Sequence, residues 1–198
     1  NILSTDGLLH PWEKKLVKDQ RYRHITDQHI IAFDTYKDQF VYLTDKTLLS
    51  NAWAGKFYVE HHIVNPTHFV MGNDFSFLVA AKGKLVFFKN NKIVWEKPVK
   101  EFEPVELLFD ASKQVFIVLS KNTVYTFNGS DRKLVKRYYG NNFSAISLVT
   151  DKKQIVVGTE DGICYLNGES FEEVSPRNKQ LPHNHITCIN EIRGRLWF

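Results

Sequence analysis

The sequence predicts an all-β fold, and three observations support this class. Residues that favour strands are abundant, because the chain of 198 residues has 15 Phe, 8 Tyr and 4 Trp but only 10 Gly and 6 Pro. A hydrophobic fraction of 43% is typical of a globular chain with a core. Short apolar runs also alternate with short polar turns along the whole chain, and this pattern recurs at a nearly constant spacing.

The recurrence is clearest in four apolar runs of similar length. They begin at Phe40, Phe77, Phe116 and Ile155, so the successive steps are 37, 39 and 39 residues. The opening "ILSTDGLL" and the closing "LWF" continue the same spacing at both ends of the chain. A sustained repeat of this length indicates a repetitive architecture in which each unit packs on its neighbours.

Each unit contains four predicted strands in the same order. A first apolar strand leads through a polar turn into the second strand, and a hairpin turn of two or three residues leads into the third. The first strands are predicted at 30–33, 68–71, 105–109, 145–149 and 186–189, and the hairpin turns at Asp45-Lys46, Lys82-Gly83, Lys121-Asn122 and Glu160-Asp161-Gly162. A more polar fourth strand follows, as in "KIVWEK" and "KLVKRYY".

Four antiparallel strands in each unit predict the blades of a β-propeller. The second strand is apolar because both of its faces pack on neighbouring blades, whereas the fourth lies at the rim. We expect one domain over residues 1–198, with about five repeats, as part of a larger propeller. The predicted blades are 1–29 (partial), 30–66, 67–104, 105–144, 145–184 and 185–198 (partial). A β-sandwich or a helical solenoid fits less well, because neither returns the same four-part unit.

The composition argues against nucleic-acid binding and against a metal or cofactor site. The net charge is only +4 and the basic residues are mixed with acidic ones, so no nucleic-acid partner is expected. The densest basic cluster, at 132–137, falls on a predicted outer strand, where charge protects an exposed edge. Cys164 and Cys188 have no metal-site spacing, and their redox state stays open. No metal and no cofactor are expected.

The C-terminal stretch from residue 154 to residue 198 resembles the two-component regulator propeller repeat. In that family a Gly-Thr at a strand end leads to an Asp-Gly turn, an aromatic strand, a Leu-Pro-x-Asn-x-Ile linker and a closing Leu-Trp. The matching residues are Gly158, Thr159, Asp161, Gly162, Tyr165, Phe171, Leu181, Pro182, Asn184, Ile186, Leu196 and Trp197. The opening "STDGLLH" repeats the Thr-x-Gly element, whereas residues 30 to 140 keep only the period and the strand order.

This resemblance implies a role in sensing. Proteins with the repeat are similar to the periplasmic or extracellular sensor parts of hybrid two-component systems of the Bacteroidetes type, often dimeric, which respond to products of carbohydrate breakdown. The resemblance therefore implies a non-enzymatic sensor on the periplasmic or extracellular face of the inner membrane. Its ligand would be an oligosaccharide or another small extracellular molecule, and its kinase domains would lie outside this chain.

Loops on one face of the propeller are the predicted ligand surface. The connections between blades and the turns between second and third strands meet on that face, and sugars are held by aromatic faces and by polar side chains. The candidate ligand-binding residues are Tyr138, Tyr139, Asn141, Asn142, Arg177, His183 and His185.

No catalytic residues are predicted. The letters "HNH" at 183–185 lack the following helix that a nuclease of that type needs, and His61, His62 and His68 bracket a proline-containing loop rather than a metal-binding spacing. Glu101, Glu103 and Glu106 could serve a glycosidase only as a pair across a cleft. A carbohydrate-active lyase or glycosidase and a protein-binding scaffold stay open as alternatives to the sensor.

Overall fold

The computed structural model describes residues 2–4, 7–18, 29–36, 39–50, 58–90, 92–99, 103–129, 134–149, 154–174 and 183–198. Within these ranges the chain forms six antiparallel sheets, and its only helix is a single 3-10 turn at Asn73–Phe75. No described helix has the length and apolar character needed to cross a membrane. The predicted all-β class is confirmed.

The sheets follow one another along the chain, each built from consecutive strands. Sheet 1 contains β1 (Ile2–Ser4), β2 (Gly7–Trp12) and β3 (Lys15–Lys18). Sheet 2 contains β4 (Ile30–Tyr36), β5 (Gln39–Thr44), β6 (Thr47–Ser50) and β7 (Tyr58–His62). Sheet 3 contains β8 (Pro66–Met71), β9 (Ser76–Ala81), β10 (Lys84–Lys89) and β11 (Lys92–Pro98).

The second half of the chain repeats this plan. Sheet 4 contains β12 (Pro104–Asp110), β13 (Val115–Ser120), β14 (Thr123–Asn128) and β15 (Leu134–Tyr139). Sheet 5 contains β16 (Phe143–Val149), β17 (Gln154–Thr159), β18 (Gly162–Asn167) and β19 (Ser170–Val174). Sheet 6 contains β20 (Asn190–Ile192) and β21 (Arg195–Trp197). Four sheets thus have the predicted four strands in sequence order.

The sheets stack face to face with their first strands on the inside. β4 lies against β8, β8 against β12, β12 against β16, and β16 against β20. The second strands β9, β13 and β17 are almost wholly buried, whereas β11 is mostly exposed. This arrangement explains why the second strand of each unit is apolar and the fourth is polar.

A separate apolar core lies at each interface from sheet 2 to sheet 6. Val41, Val79 and Phe88 belong to the core between sheets 2 and 3. The core between sheets 3 and 4 is rich in aromatic rings, and the core between sheets 4 and 5 is mainly aliphatic with Tyr138 and Phe143. Burial of these side chains on both faces of each sheet supplies most of the stabilisation.

The segment 186–189, predicted as a strand, differs in the structure. Ile186 and Ile189 are buried, as the apolar pattern requires, but the strand begins only at Asn190. The Ile186 N–H donates to the Thr159 carbonyl at 3.0 Å, and the Ser144 hydroxyl donates to the Ile186 carbonyl. The backbone of Ile186 is therefore used to attach the connection to sheet 5 and does not pair within sheet 6.

Two carboxylates join neighbouring first strands. Asp34 Oδ2 accepts a hydrogen bond from the Met71 N–H at 3.2 Å, and Glu106 Oε2 accepts one from the Ile146 N–H at 2.9 Å. Burial raises the pKa of the Glu106 carboxyl above its ordinary value, although the hydrogen bond from Ile146 opposes this change. Glu106 therefore contributes a pH-dependent element to the contact between sheets 4 and 5.

The variant Glu106→Gln is expected to have a higher melting temperature than the wild-type protein at neutral pH. A carboxyl whose pKa is raised on folding stabilises the fold when protonated, and that stabilisation is lost as the pH rises through the folded-state pKa. Gln keeps an acceptor for the Ile146 N–H without the charge. The difference in melting temperature should therefore vanish in acid, at a pH below the ordinary pKa range of carboxyl groups. Thermal unfolding across pH measures this, with the exposed Glu103→Gln as control. A lower melting temperature for Glu106→Gln at neutral pH would contradict the expectation.

Candidate functional site

We call the connections between sheets, together with the hairpin turns to which they are hydrogen-bonded, the link surface. It comprises the connections 63–65, 140–142 and 183–189, the described residues Val99 and Glu103, and the hairpin turns 45–46, 82–83, 121–122 and 160–161. Each connection is hydrogen-bonded to the hairpin turn of the preceding sheet. The N–H groups of Ile63, Val99, Phe143 and Ile186 donate to the carbonyls of Lys46, Gly83, Lys121 and Thr159 at 2.8, 2.9, 2.7 and 3.0 Å.

The Gly-Thr motif explains how one connection is held. A Cβ atom at Gly158 would lie 2.5 Å from Ile186 Cγ2, so only glycine lets the connection approach β17 this closely. The Thr159 hydroxyl donates to the Gly162 carbonyl at 3.1 Å and accepts from the Asp161 N–H at 3.0 Å. Gly162 has φ of 132°, a conformation that glycine adopts readily. The motif thus shapes the turn and its neighbouring connection together.

Removing the Thr159 hydroxyl is expected to destabilise this turn. Thr159→Val preserves the shape of the buried side chain but leaves the Gly162 carbonyl and the Asp161 N–H without this partner, at a cost of about 1–2 kcal/mol. Urea unfolding measures the change. Thr67→Val is the matched control, because exposed Thr67 makes a single longer hydrogen bond, 3.3 Å, to the Ala80 carbonyl. Equal losses in the two variants would contradict the role of Thr159.

Five of the predicted ligand residues lie exposed on or beside the link surface. Tyr139, at the end of β15, has 67% of its surface exposed, and its hydroxyl accepts a hydrogen bond from Arg137 Nη1 at 3.2 Å. The other four exposed residues are Asn141, Asn142, His183 and His185. Arg177 lies outside the described residues.

Two successive connections along the chain carry these five residues or lie next to them. The Asn142 N–H donates to Asn122 Oδ1 at 3.4 Å, which holds the first connection on the hairpin turn of sheet 4. The hydrogen bond from Ser144 to Ile186 joins the start of β16 to the second connection. These hydrogen bonds fix the backbone of each connection next to the exposed side chains that it carries.

Tyr138 lies elsewhere, in a cleft between sheets 4 and 5. Adjacent residues of a strand point to opposite faces, so the side chains of Tyr138 and Tyr139 lie on opposite faces of sheet 4. Tyr138 is buried, with its ring edge-on to Phe171 at a centroid distance of 6.5 Å. Burial raises the pKa of the Tyr138 hydroxyl; the positive charge of Lys113 opposes this effect, and the negative charge of Glu169 adds to it.

The cleft has a volume of about 640 Å³, and residues from both sheets line it. Lys113 and Gln154 line it with Tyr138, although neither is among the predicted ligand residues. The sequence signal for them is present in "DASKQ" and "DKKQ", the predicted turns between first and second strands. A volume of this size is typical of small-molecule sites.

The three histidines considered as metal ligands have different environments. The His61 ring stacks on Phe88 with centroids 4.3 Å apart, His62 is exposed, and His68 lies in β8, where burial lowers its pKa. Across the described ranges, His, Cys, Asp and Glu side chains form no group of three or more that could hold a metal ion.

The chain is similar to solved β-propellers. No protein-family model and no curated protein sequence matches it. The extracellular domain of the putative one component system BT4673 from B. thetaiotaomicron matches with a TM-score of 0.67 and 14% identity, over 98% of this chain and 29% of that one. A second structure, the extracellular domain of the putative hybrid two component system BT4673 from B. thetaiotaomicron, gives a TM-score of 0.64 and 15% identity over 85% of this chain and 25% of that one.

The WD40 β-propeller domain of Doa1 matches as well, with a TM-score of 0.60 and 17% identity over 84% of this chain and 59% of that domain. The matches cover 29% and 25% of the two bacterial structures, so this chain spans less than a third of either one. At these identities the likeness shows the fold, and the predicted β-propeller is confirmed. The second bacterial structure is described as part of a hybrid two component system, the class in which the repeat resembled by residues 154–198 occurs.

Proposed function

We propose that this chain is part of the sensor propeller of a two-component regulatory system, on the periplasmic or extracellular face of the inner membrane. It binds a glycan-derived ligand and relays the signal to kinase domains outside this chain. The observation that supports this most strongly is the structural match to an extracellular domain of a bacterial regulatory system over 98% of the chain. We also propose that residues 1–198 form one propeller domain or a portion of one, with the blade bounds given above.

The link surface is the proposed ligand site. Tyr139 offers an exposed aromatic ring, on which a sugar ring can pack, and the asparagines and histidines offer hydrogen-bonding groups. Hydrogen bonds between connections and hairpin turns hold the backbone of this surface before a ligand arrives. Preorganisation of this kind lowers the entropic cost of binding.

Signal relay follows from the position of the site between two connections. A ligand in contact with both Asn141 and His185 would favour one spacing of the sheets that these connections join. Ligand binding can shift a conformational equilibrium only through such differential contacts. Homodimerisation in the intact protein would bring two kinase parts together, and we include it in the proposal.

The proposed role is non-enzymatic. In the glycosidase alternative, Glu103 and Glu106 would have to face each other across a cleft. Glu103 is exposed, whereas Glu106 is partly buried and accepts a hydrogen bond from the Ile146 N–H. Glu101 lies outside the described residues. The described pair therefore supports a structural role for Glu106.

A protein-binding scaffold is the second candidate, and one observation favours it. Val64 is 78% exposed and lies on the link surface, as does Tyr139 at 67%. Large exposed apolar side chains on one face are typical of protein-binding surfaces. In this case the partner would be a protein and the oligosaccharide test below would be negative.

Calorimetry with defined cello-, xylo-, galacto- and malto-oligosaccharides tests the proposal. We expect saturable binding of at least one series, and about tenfold weaker binding in Tyr139→Ala or His185→Ala, a change of about 1.4 kcal/mol. Ile93→Ala, an exposed apolar residue of the outer strand β11, is the control and should bind like the wild type. Chromatography of the same mixtures should show no product. Turnover, or the absence of binding in every series, would overturn the proposal.

A further inference from the structure

The cleft between sheets 4 and 5 lies at a place that aromatic rings fill between sheets 3 and 4. In sheet 3, Phe87 of the third strand pairs with Trp95 of the fourth, and the pairing shifts immediately after Phe87. In sheet 4, Thr126 pairs with Lys136, and the pairing shifts immediately after Thr126. Thr126 and Lys136 therefore stand where sheet 3 has Phe87 and Trp95.

The two interfaces differ in the space that these pairs leave. Between sheets 3 and 4, the Phe87 ring packs on Trp95 and Phe116 with centroid distances of 5.5 and 5.4 Å, and the remaining space is about 200 Å³. Between sheets 4 and 5, where Thr126 and Lys136 supply no ring, the cleft measures about 640 Å³. The cleft is therefore a gap in the aromatic packing of the repeat.

The polar side chains at one end of the cleft are bonded to one another. Asp110 Oδ1 accepts hydrogen bonds from the Ser112 N–H at 2.9 Å, the Ser112 hydroxyl at 2.6 Å and the Lys113 N–H at 3.2 Å. Asp110 Oδ2 lies 3.5 Å from the Lys113 ammonium group. Burial opposes ionisation, but these contacts lower the pKa of the Asp110 carboxyl below its ordinary value. The carboxylate and the ammonium group thus balance each other's charge.

The other polar groups of the lining are engaged in the same way. Lys136 Nζ lies 3.8 Å from Glu169 Oε1. The Thr126 hydroxyl accepts from the Lys136 N–H at 3.0 Å and donates to the Lys136 carbonyl at 3.4 Å, and Gln154 Nε2 donates to the Leu166 carbonyl at 3.3 Å. Each lysine of the lining thus faces a carboxylate. A charged or strongly polar ligand would have to compete with these contacts, whereas an apolar ligand would leave them in place.

The rest of the lining is largely apolar. Val115 and Ile117 belong to it from sheet 4, Ile155 and Leu166 from sheet 5, and Tyr138 adds an aromatic side chain. Water against such walls is held by few hydrogen bonds, so its displacement by an apolar molecule is favourable. A flat ring suits this lining, because its faces can pack on aliphatic side chains and also make an edge or face contact with Tyr138.

We propose that this cleft binds a small neutral aromatic molecule, for which indole is the probe. The ring lies between the apolar walls of sheets 4 and 5, at the place that Phe87 and Trp95 fill one interface earlier. Asp110, Lys113 and Gln154 lie at the ends of the sheets that carry the turns between first and second strands, opposite the connections. This site is therefore separate from the link surface and goes beyond the proposed function.

Calorimetry with indole and indole-3-carboxylate tests the ligand class, because the two probes differ only in the carboxylate. We expect saturable binding of indole with a negative heat-capacity change, the sign of apolar burial. Indole-3-carboxylate should bind at least about tenfold more weakly, since burying its charge is costly where each lysine already faces a carboxylate. Trp12→Ala, which removes an aromatic ring 62% exposed in sheet 1, should bind indole like the wild type. No saturable indole binding, or equal affinity for the two probes, would overturn the proposal.

Hydrogen exchange at saturating indole locates the site without any substitution. We expect slower exchange in the turn 111–114 and at Gly168, because Lys113 and Gly168 both line the cleft. The connections 140–142 and 183–189 should exchange as in the free protein. Protection confined to these connections would overturn the assignment of the cleft.

A filled variant tests the shape of the site. Thr126→Phe combined with Lys136→Trp places the aromatic pair of sheet 3 in the cleft. We expect a cooperative melting transition and no saturable indole binding. Retained indole binding in this folded variant would overturn the assignment, and the hydrogen-exchange comparison decides the location independently of how the variant folds.

Discussion

Phe116→Ala is expected to lower the free energy of unfolding by about 3–5 kcal/mol, the cost of deleting a fully buried aromatic ring. Only 2% of Phe116 is exposed, and its ring contacts Phe109 and Phe87 with centroid distances of 4.8 and 5.4 Å. The ring also closes on the backbone at Gly129, where a Cβ atom would lie 2.8 Å from it. Because the surrounding sheets are rigid, they cannot collapse into the space that the variant leaves.

Thermal unfolding should show this loss as a decrease of about 6–20 °C in melting temperature for a chain of this size. The matched control is Phe33→Ala in β4, where the same residue type is 51% exposed. Its effect should be about 1 kcal/mol or less, since less apolar surface returns to water. Similar effects of the two substitutions would contradict the position assigned to Phe116 at the interface of sheets 3 and 4.

Gly158 and Ile186 should show strong coupling in a double-mutant cycle. Gly158→Ala introduces a Cβ atom into the position occupied by the Ile186 side chain, and we expect a loss of about 1–3 kcal/mol from overpacking. Ile186→Ala removes a buried side chain, of which 4% is exposed, and should cost about 2–5 kcal/mol. In the double variant the smaller side chain makes room for the new methyl group.

The loss in that double variant should therefore be smaller than the sum of the single losses by about 1 kcal/mol or more, a coupling expected only for residues in contact. Urea unfolding of the four proteins measures the cycle. Strict additivity would contradict the close approach of the connection to β17. The same approach fixes the backbone next to His185, so the cycle also tests how the link surface is supported.

Much of the fold is predictable from the sequence for a physical reason. A second strand such as "FIVLSK" is buried on both faces, so it reads as a continuous apolar run, and the hairpin turn after it needs polar residues or glycine. The spacing of these two signals defines each sheet. The prediction of a strand at 186–189 is wrong because an apolar connection and an apolar strand have the same sequence pattern. Only the backbone hydrogen bonds of Ile186 distinguish the two.

The candidate site was less predictable because side-chain direction depends on register. Thr126 pairs with Lys136 but Phe127 pairs with Leu134, so a bulge at Val135 changes which face the following residues occupy. This shift places Tyr138 in the cleft, and neighbouring Tyr139 then faces away from it. The cleft itself arises because sheet 4 has Thr126 and Lys136 at the positions where sheet 3 has Phe87 and Trp95. These positions can be compared only when the pairing of the strands is known.

Hydrogen exchange measured on the full chain with and without a binding oligosaccharide tests the central claim, that the link surface binds the ligand. We expect slower exchange in the connections 140–142 and 183–189, with no change at Lys113 and Gln154, which line the cleft. The Tyr139→Ala variant should lose this protection. Protection confined to the residues that line the cleft, or spread evenly over the outer strands, would contradict the assignment of the link surface.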